Sequence, residues 1–245
     1  VYNKSKILNS RTNGLFDPTI GLLIEYYGFG PENSKNIIDE DSILKIMETV
    51  GFEKISINNR ELIKKNIKTK LDFNAIAKGY AVDVISNYIE SKGHLNYLID
   101  IGGEIKSAGT NISKKDHWKI AINNPDLNNP NSFYKILRLS NHSLATSGNY
   151  RNYKIDSLTG NKYVHILNPI TGKSQQTNIL SASVVSSSCF KSDAFATAMM
   201  ATNLKNAISL TENNNDIESF IIYVDSLNNI TNYASAGFKK LLLKP

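Results

Sequence analysis

The stretch Leu71-Asp72-Phe73-Asn74-Ala75-Ile76-Ala77-Lys78-Gly79-Tyr80-Ala81-Val82-Asp83 runs from an extended segment through a turn into a helix. We predict a helix over residues 76–91 that closes at Gly93, because glycine readily adopts the left-handed conformation found just after helices. A helix N-terminus offers free N–H groups and a positive dipole end, which suits a phosphate group. Lys78 is expected in the first turn, where a cation is disfavoured unless an anion binds nearby. An ordinary exposed lysine is the alternative interpretation.

The rest of the chain alternates between helical and strand-like patterns. Hydrophobic periodicity predicts helices and strands in mixed order, which indicates an α+β or mixed α/β fold rather than a doubly wound parallel sheet. We expect a single domain over residues 1–245. Ser192 is expected to be the N-cap of the helix predicted over 193–201. The predicted helices cover 41–50, 193–201 and 204–211, and the predicted strands cover 97–101, 118–122, 134–139, 163–167, 180–186 and 220–224.

Composition excludes several classes of protein. The 245 residues are 41% hydrophobic and 20% charged, which is typical of a globular chain. The net charge is +6, but the lysines are dispersed and no basic run alternates with aromatics, so nucleic-acid binding is not expected. Cys189 is the only cysteine, which excludes an intrachain disulfide and a zinc site built from several thiolates. No apolar run reaches the roughly 18 residues that a membrane span requires.

The segment Asp193-Ala194-Phe195-Ala196-Thr197 is a candidate metal site. Asp193 and Thr197 are four residues apart, so on a helix they lie on the same face. Carboxylate and hydroxyl oxygens are hard ligands that suit Mg²⁺. The alternative is structural: Asp193 in a first helical turn complements the helix dipole, and Thr197 is an ordinary helical residue.

Two further segments are candidate parts of a site. Gly102 and Gly103 follow a predicted buried strand and allow a close backbone approach; a simple tight turn or bulge is the alternative interpretation. His165 lies just before the turn Asn168-Pro169-Ile170-Thr171-Gly172, and its titration range suits a general base. A structural histidine is the alternative. Ser147 lacks the G-x-S-x-G setting of a hydrolase nucleophile.

The order of these segments resembles the ApbE family of FAD:protein FMN transferases, over roughly residues 13–201. Such a resemblance implies an ApbE-type, T-fold-like domain. The matching segments are Gly14-Leu15-Phe16-Asp17-Pro18-Thr19, residues 72–83, Ile101-Gly102-Gly103-Glu104, Thr146-Ser147-Gly148-Asn149-Tyr150-Arg151, His165-Ile166-Leu167-Asn168-Pro169 with Thr171-Gly172, and Asp193-Ala194-Phe195-Ala196-Thr197.

The resemblance implies a reaction and its participants. Family members cleave the pyrophosphate of FAD, release AMP and attach FMN to a Ser or Thr hydroxyl of an acceptor protein. By motif, Mg²⁺ is expected on the Ala75 carbonyl, Asp193 and Thr197. FAD is expected to contact Leu15, Phe16, Asp17, Lys78, His165 and Ile166, with His165 as the catalytic base.

The resemblance also carries departures and expectations about location. Asn74 stands where a small glycine is common in the family, and Asn168 where aspartate is usual. Members normally have a further segment of several tens of residues before the Phe16 motif, so we expect a domain shortened at its N-terminus. A periplasmic or cell-envelope location in bacteria is implied, with lipoprotein-type membrane anchoring through that segment.

Two alternative functions remain at the level of sequence. One is an FAD pyrophosphatase, in which water replaces the acceptor hydroxyl and the products are free FMN and AMP. The other is a non-catalytic flavin-binding protein. A domain that binds no ligand is the remaining structural reading.

Overall fold

The computed structural model describes residues 1–31, 37–126, 129, 132–149, 153–155, 162–174 and 177–243. Helices and strands alternate in mixed order along this part of the chain. Its helices are α1 Tyr2–Arg11, α2 Gly21–Tyr26, α3 Glu40–Met47, α4 Asn74–Ser91, α5 Cys189–Met200, α6 Leu204–Glu212 and α7 Ala236–Leu241. Its strands are β1 Ile55–Asn58, β2 Glu61–Lys64, β3 Tyr97–Ile101, β4 Glu104–Ala108, β5 Trp118–Asn123, β6 Phe133–Leu139, β7 His142–Gly148, β8 Tyr153–Ile155, β9 Lys162–Val164, β10 Ile179–Ser186, β11 Ile217–Val224 and β12 Ile230–Ala234.

A six-stranded sheet forms the centre of the fold. Its strands follow the order β12-β11-β10-β7-β4-β3, and every neighbouring pair is antiparallel. This arrangement confirms the mixed fold and the expected absence of a doubly wound parallel sheet. The hairpins β1–β2, β5–β6 and β8–β9 form separate two-stranded sheets.

Both faces of the central sheet are buried. Side chains alternate across each strand, so a strand contributes to the core on each face. On one face, Ala182, Val184 and Ile221 pack in a core with α5. On the other, Val185 and Phe220 join a second core formed with the β5–β6 hairpin and α7. Helix α5 is therefore fixed over the middle of the sheet.

Helices α4 and α5 touch at Gly79. A Cβ built on Gly79 would lie 2.5 Å from the Cys189 carbonyl oxygen and 2.8 Å from the Phe190 Cα, both backbone atoms. This contact explains the glycine inside a helix, where glycine costs about 1 kcal/mol relative to alanine. The glycine thus allows the two helix backbones to approach closely.

Long-range capping accounts for the main error in the expected helix boundaries. Ser192 is not an N-cap: α5 begins one turn earlier, after Ser188. Its first amides are capped from another helix, since Cys189 N and Phe190 N each donate to an Asp83 carboxylate oxygen at 3.0 Å. The Ser192 hydroxyl instead pairs with Ser186 at 2.9 Å. A local pattern contains no sign of such a cap.

Other boundaries shift by smaller amounts. Helix α3 begins after Asp39, whose side chain accepts from Ser42 N at 2.8 Å, and it ends at Met47 rather than at residue 50. Helix α4 begins at Asn74, so Lys78 is its fifth residue. The prediction that Lys78 lies in the first turn is therefore wrong. The strand predicted over 163–167 stops at Val164, and His165 lies on a bend.

Candidate active site

One cleft of about 930 Å³ brings together residues from distant parts of the chain. Its walls include helices α4 and α5, the turn between β3 and β4, strands β5 and β7, and two loops. Every residue that the sequence singled out for a site lines it: Leu15, Phe16, Asp17, Ala75, Lys78, His165, Ile166, Asp193 and Thr197.

Helix α5 presents Asp193 and Thr197 to the cleft from successive turns. Asp193 is only 3% exposed, and burial raises the pKa of its carboxyl, while Lys78 and the Gly79 amide oppose the rise. Because α5 starts at Cys189, Asp193 lies outside the first turn, and the helix-dipole explanation of this residue is wrong. The Thr197 hydroxyl lies 3.1 Å from the Ser147 hydroxyl on β7.

Helix α4 meets this pair through its backbone. The Gly79 N–H donates to Asp193 Oδ2 at 3.0 Å. In a regular α-helix, that N–H would donate to the carbonyl of residue 75. Ala75 lies half-buried on the cleft wall. The amide that is the regular helical partner of the Ala75 carbonyl therefore donates to a carboxylate of α5.

Two buried carboxyls share one cation in the cleft. Lys78 Nζ lies 3.4 Å from Glu104 Oε1, and it also acts electrostatically on Asp193. Burial raises the pKa of Glu104 to about 7, and the charge of Asp193 adds to the increase, whereas Lys78 opposes it. Glu104 Oε2 is buried and has no hydrogen-bond partner among the described residues. With both carboxyls ionised, this wall carries a net negative charge.

The Leu15-Phe16-Asp17 loop is anchored on both sides. Leu15 and Phe16 belong to the core beneath α5, yet they also reach the cleft. Asp17 Oδ1 accepts from the Thr19 amide at 2.8 Å and Oδ2 accepts from Asn9 Nδ2 at 3.2 Å. Burial raises the pKa of Asp17, and the hydrogen bonds from Thr19 oppose the rise. This loop is therefore a rigid wall of the cleft.

His165 and Ile166 come from the opposite wall. The half-buried His165 ring meets the edge of Phe29, with ring centroids 6.4 Å apart. The following turn is tied to α5, because Asn168 Nδ2 donates to the Ala201 carbonyl at 2.9 Å. An aspartate at position 168 has no N–H for this bond, so the Asn168 departure has a clear structural use.

Glu104 and Ser147 are among the cleft-wall residues to which sequence reasoning gave no role in the site. Glu104 was noticed only as the end of a glycine turn, and Ser147 only as a poor nucleophile candidate. The relation of Ser147 to Thr197 spans 50 residues and depends on strand pairing. Tyr150 and Arg151 of the same segment lie outside the described residues.

Comparison with known proteins agrees with this arrangement. The family model described as "ApbE family" matches residues 1–221. This chain belongs to the ApbE family. Among curated ApbE relatives, the FAD:protein FMN transferase of Vibrio cholerae is 34% identical over 97% of this chain and 70% of its own length. That of Haemophilus influenzae is 31% identical over 96% of this chain and 68% of its own length.

Solved ApbE structures share the fold. The flavin transferase ApbE from Vibrio cholerae superposes with a TM-score of 0.86 at 32% identity, covering 98% of this chain and 75% of that one. The apo flavinyl transferase ApbE from Pseudomonas stutzeri has a TM-score of 0.85 at 29% identity, covering 98% and 73%. Within the described residues, no helix is both long enough and apolar enough to span a membrane.

Proposed function

We infer that this protein is an enzyme that transfers FMN from FAD to an acceptor protein. The FAD:protein FMN transferases that it resembles carry this activity in their names. The observation that carries the proposal is that residues from every matched family segment line one cleft. Its volume of about 930 Å³ falls at the upper end of the usual range for small-molecule sites.

Mg²⁺ is the proposed cofactor, held by the Ala75 carbonyl, Asp193 and Thr197. Three observations fit. The donors are hard oxygens, as Mg²⁺ prefers. Burial raises the pKa values of Asp193 and Glu104, and the charge of Asp193 adds to the rise at Glu104, so a divalent cation would relieve both carboxylates. The regular helical partner of the Ala75 carbonyl is engaged by Asp193.

This ligand set differs from a cluster of acidic or histidine side chains. Within the described ranges, no group of three or more His, Cys, Asp or Glu residues is placed to hold a metal. One carboxylate, one hydroxyl and one carbonyl leave several positions for water and phosphate, as is usual for Mg²⁺. When bound, the ion would neutralise charge on the pyrophosphate oxygens.

The other walls are proposed to bind FAD. Leu15 and Phe16 supply apolar surface for a ring system, and Asp17 holds their loop in place. Lys78 is the cation that faces the phosphates. His165 and Ile166 close the opposite side. Phosphoryl transfer depends mainly on positioning and charge stabilisation, and these fixed walls suit both.

His165 is proposed to accept the proton from the Ser or Thr hydroxyl of the acceptor. The hydroxyl oxygen forms a bond to the FMN phosphorus as the bond from this phosphorus to the bridging pyrophosphate oxygen breaks. AMP departs with the bridging oxygen. The proton moves to the His165 imidazole. A positioned general base of this kind contributes about 10²–10⁴ in rate.

The test is flavin labelling of an acceptor. Purified protein is incubated with FAD, Mg²⁺ and the protein substrate of a Vibrio cholerae relative, and in-gel flavin fluorescence is followed with time. We expect a labelled acceptor band, and His165→Ala should slow labelling about 10²–10⁴-fold while FAD still binds. The exposed Glu61→Gln serves as the matched control and should label at the wild-type rate.

The outcomes separate the alternative functions. Free FMN and AMP without a labelled acceptor would indicate an FAD pyrophosphatase. FAD retention without AMP release would indicate a flavin-binding protein. His165→Ala labelling at the wild-type rate would remove His165 from the proton transfer.

The proposed location is the bacterial periplasm or cell envelope, with membrane anchoring. Its support is the family resemblance, because the flavinylated targets of family members face that side. Fractionation of cells that express the complete reading frame tests it, since the protein should separate from cytoplasmic markers.

A further inference from the structure

Glu104 stands in the wall of the cleft with half of its hydrogen-bonding capacity unused. The residue is 4% exposed and begins β4, directly after the Gly102–Gly103 turn. Its Oε1 faces Lys78 Nζ at 3.4 Å. Its Oε2 is buried and lacks a partner among the described residues. Buried polar atoms nearly always have a partner, so an orphaned carboxylate oxygen at a cleft wall indicates a missing donor.

The turn before Glu104 leaves room for that donor. Gly102 and Gly103 both have positive φ, at +62° and +98°. A Cβ on Gly103 would meet no atom within 4 Å, and a Cβ on Gly102 would be 3.9 Å from Glu104 Oε2. Oε2 itself is shielded from solvent. Because both glycine side chains are missing, a small rotation of the Glu104 side chain is enough to bring this oxygen to a molecule bound in the cleft.

The chemistry of FAD limits what can fill this space. Its phosphate oxygens are acceptors and would repel a carboxylate. Its donors are the ribityl and ribose hydroxyls, the flavin N–H and the adenine amino group. An acceptor protein approaches from outside, whereas Glu104 is deep in the wall.

We propose that Glu104 binds substrate, with Oε2 accepting a hydrogen bond from a hydroxyl or N–H donor of FAD. The proposal rests on the proposed function, because it takes FAD as the molecule in the cleft. Lys78 faces the other oxygen at 3.4 Å and the Glu104 side chain is buried, so Oε2 is the oxygen left for a ligand.

The variant Glu104→Gln tests one oxygen at a time. Lys78 can only donate, so the amide oxygen turns toward Lys78 and the NH₂ group takes the position of Oε2. The Lys78 contact and the shape stay, while the acceptor becomes a donor. We expect the dissociation constant for FAD to rise about 10- to 100-fold, as for a hydrogen bond to a charged group. Glu61→Gln is the matched control, with FAD affinity unchanged.

Titrations with FAD, FMN and AMP locate the donor. Flavin fluorescence reports FAD and FMN binding, and calorimetry reports AMP binding, each with Mg²⁺ and in EDTA. Loss of affinity for FAD and FMN alone places the donor on the flavin half, and loss for FAD and AMP alone places it on the adenosine half. Either result supports the proposal, provided that the variant at the pH of the titration melts as cooperatively as wild type.

Other results overturn it. Unchanged affinity for all three molecules excludes the contact, and a uniform loss across all three indicates general distortion. A defect that disappears in EDTA assigns Oε2 to the metal instead. Wild-type protein that binds no FAD overturns both this proposal and the proposed function, whereas binding without acceptor labelling overturns the proposed function alone.

Discussion

Ser147 is a single-residue test of the metal site. Its hydroxyl lies 3.1 Å from Thr197, so it orients the oxygen that we propose as a ligand. Groups that orient metal ligands typically contribute about 10–100-fold to metal affinity. We expect Ser147→Ala to weaken Mg²⁺ binding about tenfold, measured by the Mg²⁺ dependence of FMN transfer.

Ser183→Ala is the matched control for that change. It breaks a neighbouring hydroxyl pair, Thr146–Ser183 at 2.7 Å, that does not touch Asp193 or Thr197. The Mg²⁺ dependence of this control should stay at the wild-type value. Equal effects of the two variants would contradict a specific role of Ser147.

Glu104 gives the stability of the metal-free protein a distinct pH dependence. Burial first, and then the charge of Asp193, raise its pKa from 4.5 to about 7. The folded state therefore holds this proton more tightly than the unfolded state does. The resulting stability is fully present below pH 4.5 and is lost as pH rises through 7.

Comparison with Glu104→Gln isolates this contribution. Between pH 4.5 and 8 in EDTA, the free energy of unfolding of wild type should fall relative to the variant by on the order of 1–3 kcal/mol. Chemical denaturation at several pH values measures it. Parallel pH profiles for the two proteins would show that Glu104 titrates normally.

Some residues of the site can be predicted from sequence and others cannot. Asp193 and Thr197 are close because they are four apart on a helix, which is a local property. Ser147 and Glu104 reach the same wall through strand pairing and a turn, so their positions depend on the whole sheet. The raised pKa of Glu104 likewise depends on burial, which a local pattern does not contain.

At the scale of elements, the contact between α4 and α5 depends on Gly79. A methyl group there would overlap backbone atoms of Cys189 and Phe190, which cannot rotate away. We expect Gly79→Ala to lower the free energy of unfolding by about 1–3 kcal/mol, more than the gain in helix propensity of about 1 kcal/mol. Denaturant unfolding measures the change.

Ala77→Gly is the control in the same helix. Ala77 is exposed, so this change should cost only the intrinsic propensity, about 1 kcal/mol. The Mg²⁺ requirement should also rise in Gly79→Ala but not in Ala77→Gly, because only Gly79 donates to Asp193. A Gly79→Ala protein as stable as wild type would mean that the helices separate without penalty.

The elements themselves were predicted unevenly, for a physical reason. Strands Tyr97–Ile101 and Ile179–Ser186 follow apolar patterns that the sequence displays locally. The predicted start of α5 is wrong by one turn, because the cap comes from Asp83, more than 100 residues earlier in the chain. Strand β7 was interpreted only as part of a motif, since its polar residues conceal a central position between β4 and β10.

At the scale of the whole molecule, ligand binding should stabilise the fold. The cleft is built from elements that include α4, α5, β4 and β7, so its geometry exists only in the folded state. FAD and Mg²⁺ at 100 times the dissociation constant should add about 2.7 kcal/mol. For a chain of this size, the melting temperature should rise by roughly 5–10 °C.

Asp193→Asn separates the metal contribution in the same experiment. Asparagine can still accept from the Gly79 amide, so the fold is kept while the anionic ligand is lost. We expect the Mg²⁺-dependent part of the thermal shift to disappear. A full Mg²⁺-dependent thermal shift in this variant would mean that other residues bind the metal. No thermal shift in wild type would contradict ligand binding at the cleft.

The bond between the Gly79 amide and Asp193 makes one backbone nitrogen a reporter of the cleft. If Asp193 is a metal ligand, its charge distribution changes when the ion binds, and the ¹⁵N resonance of Gly79 should move during a magnesium titration. The Cys189 and Phe190 amides donate to Asp83 instead, so their resonances should move far less. Both kinds of amide–carboxylate bond join α4 and α5, yet their resonances would respond differently to the ion. The contrast would identify which carboxylate binds the metal, and the measurement needs no enzymatic turnover.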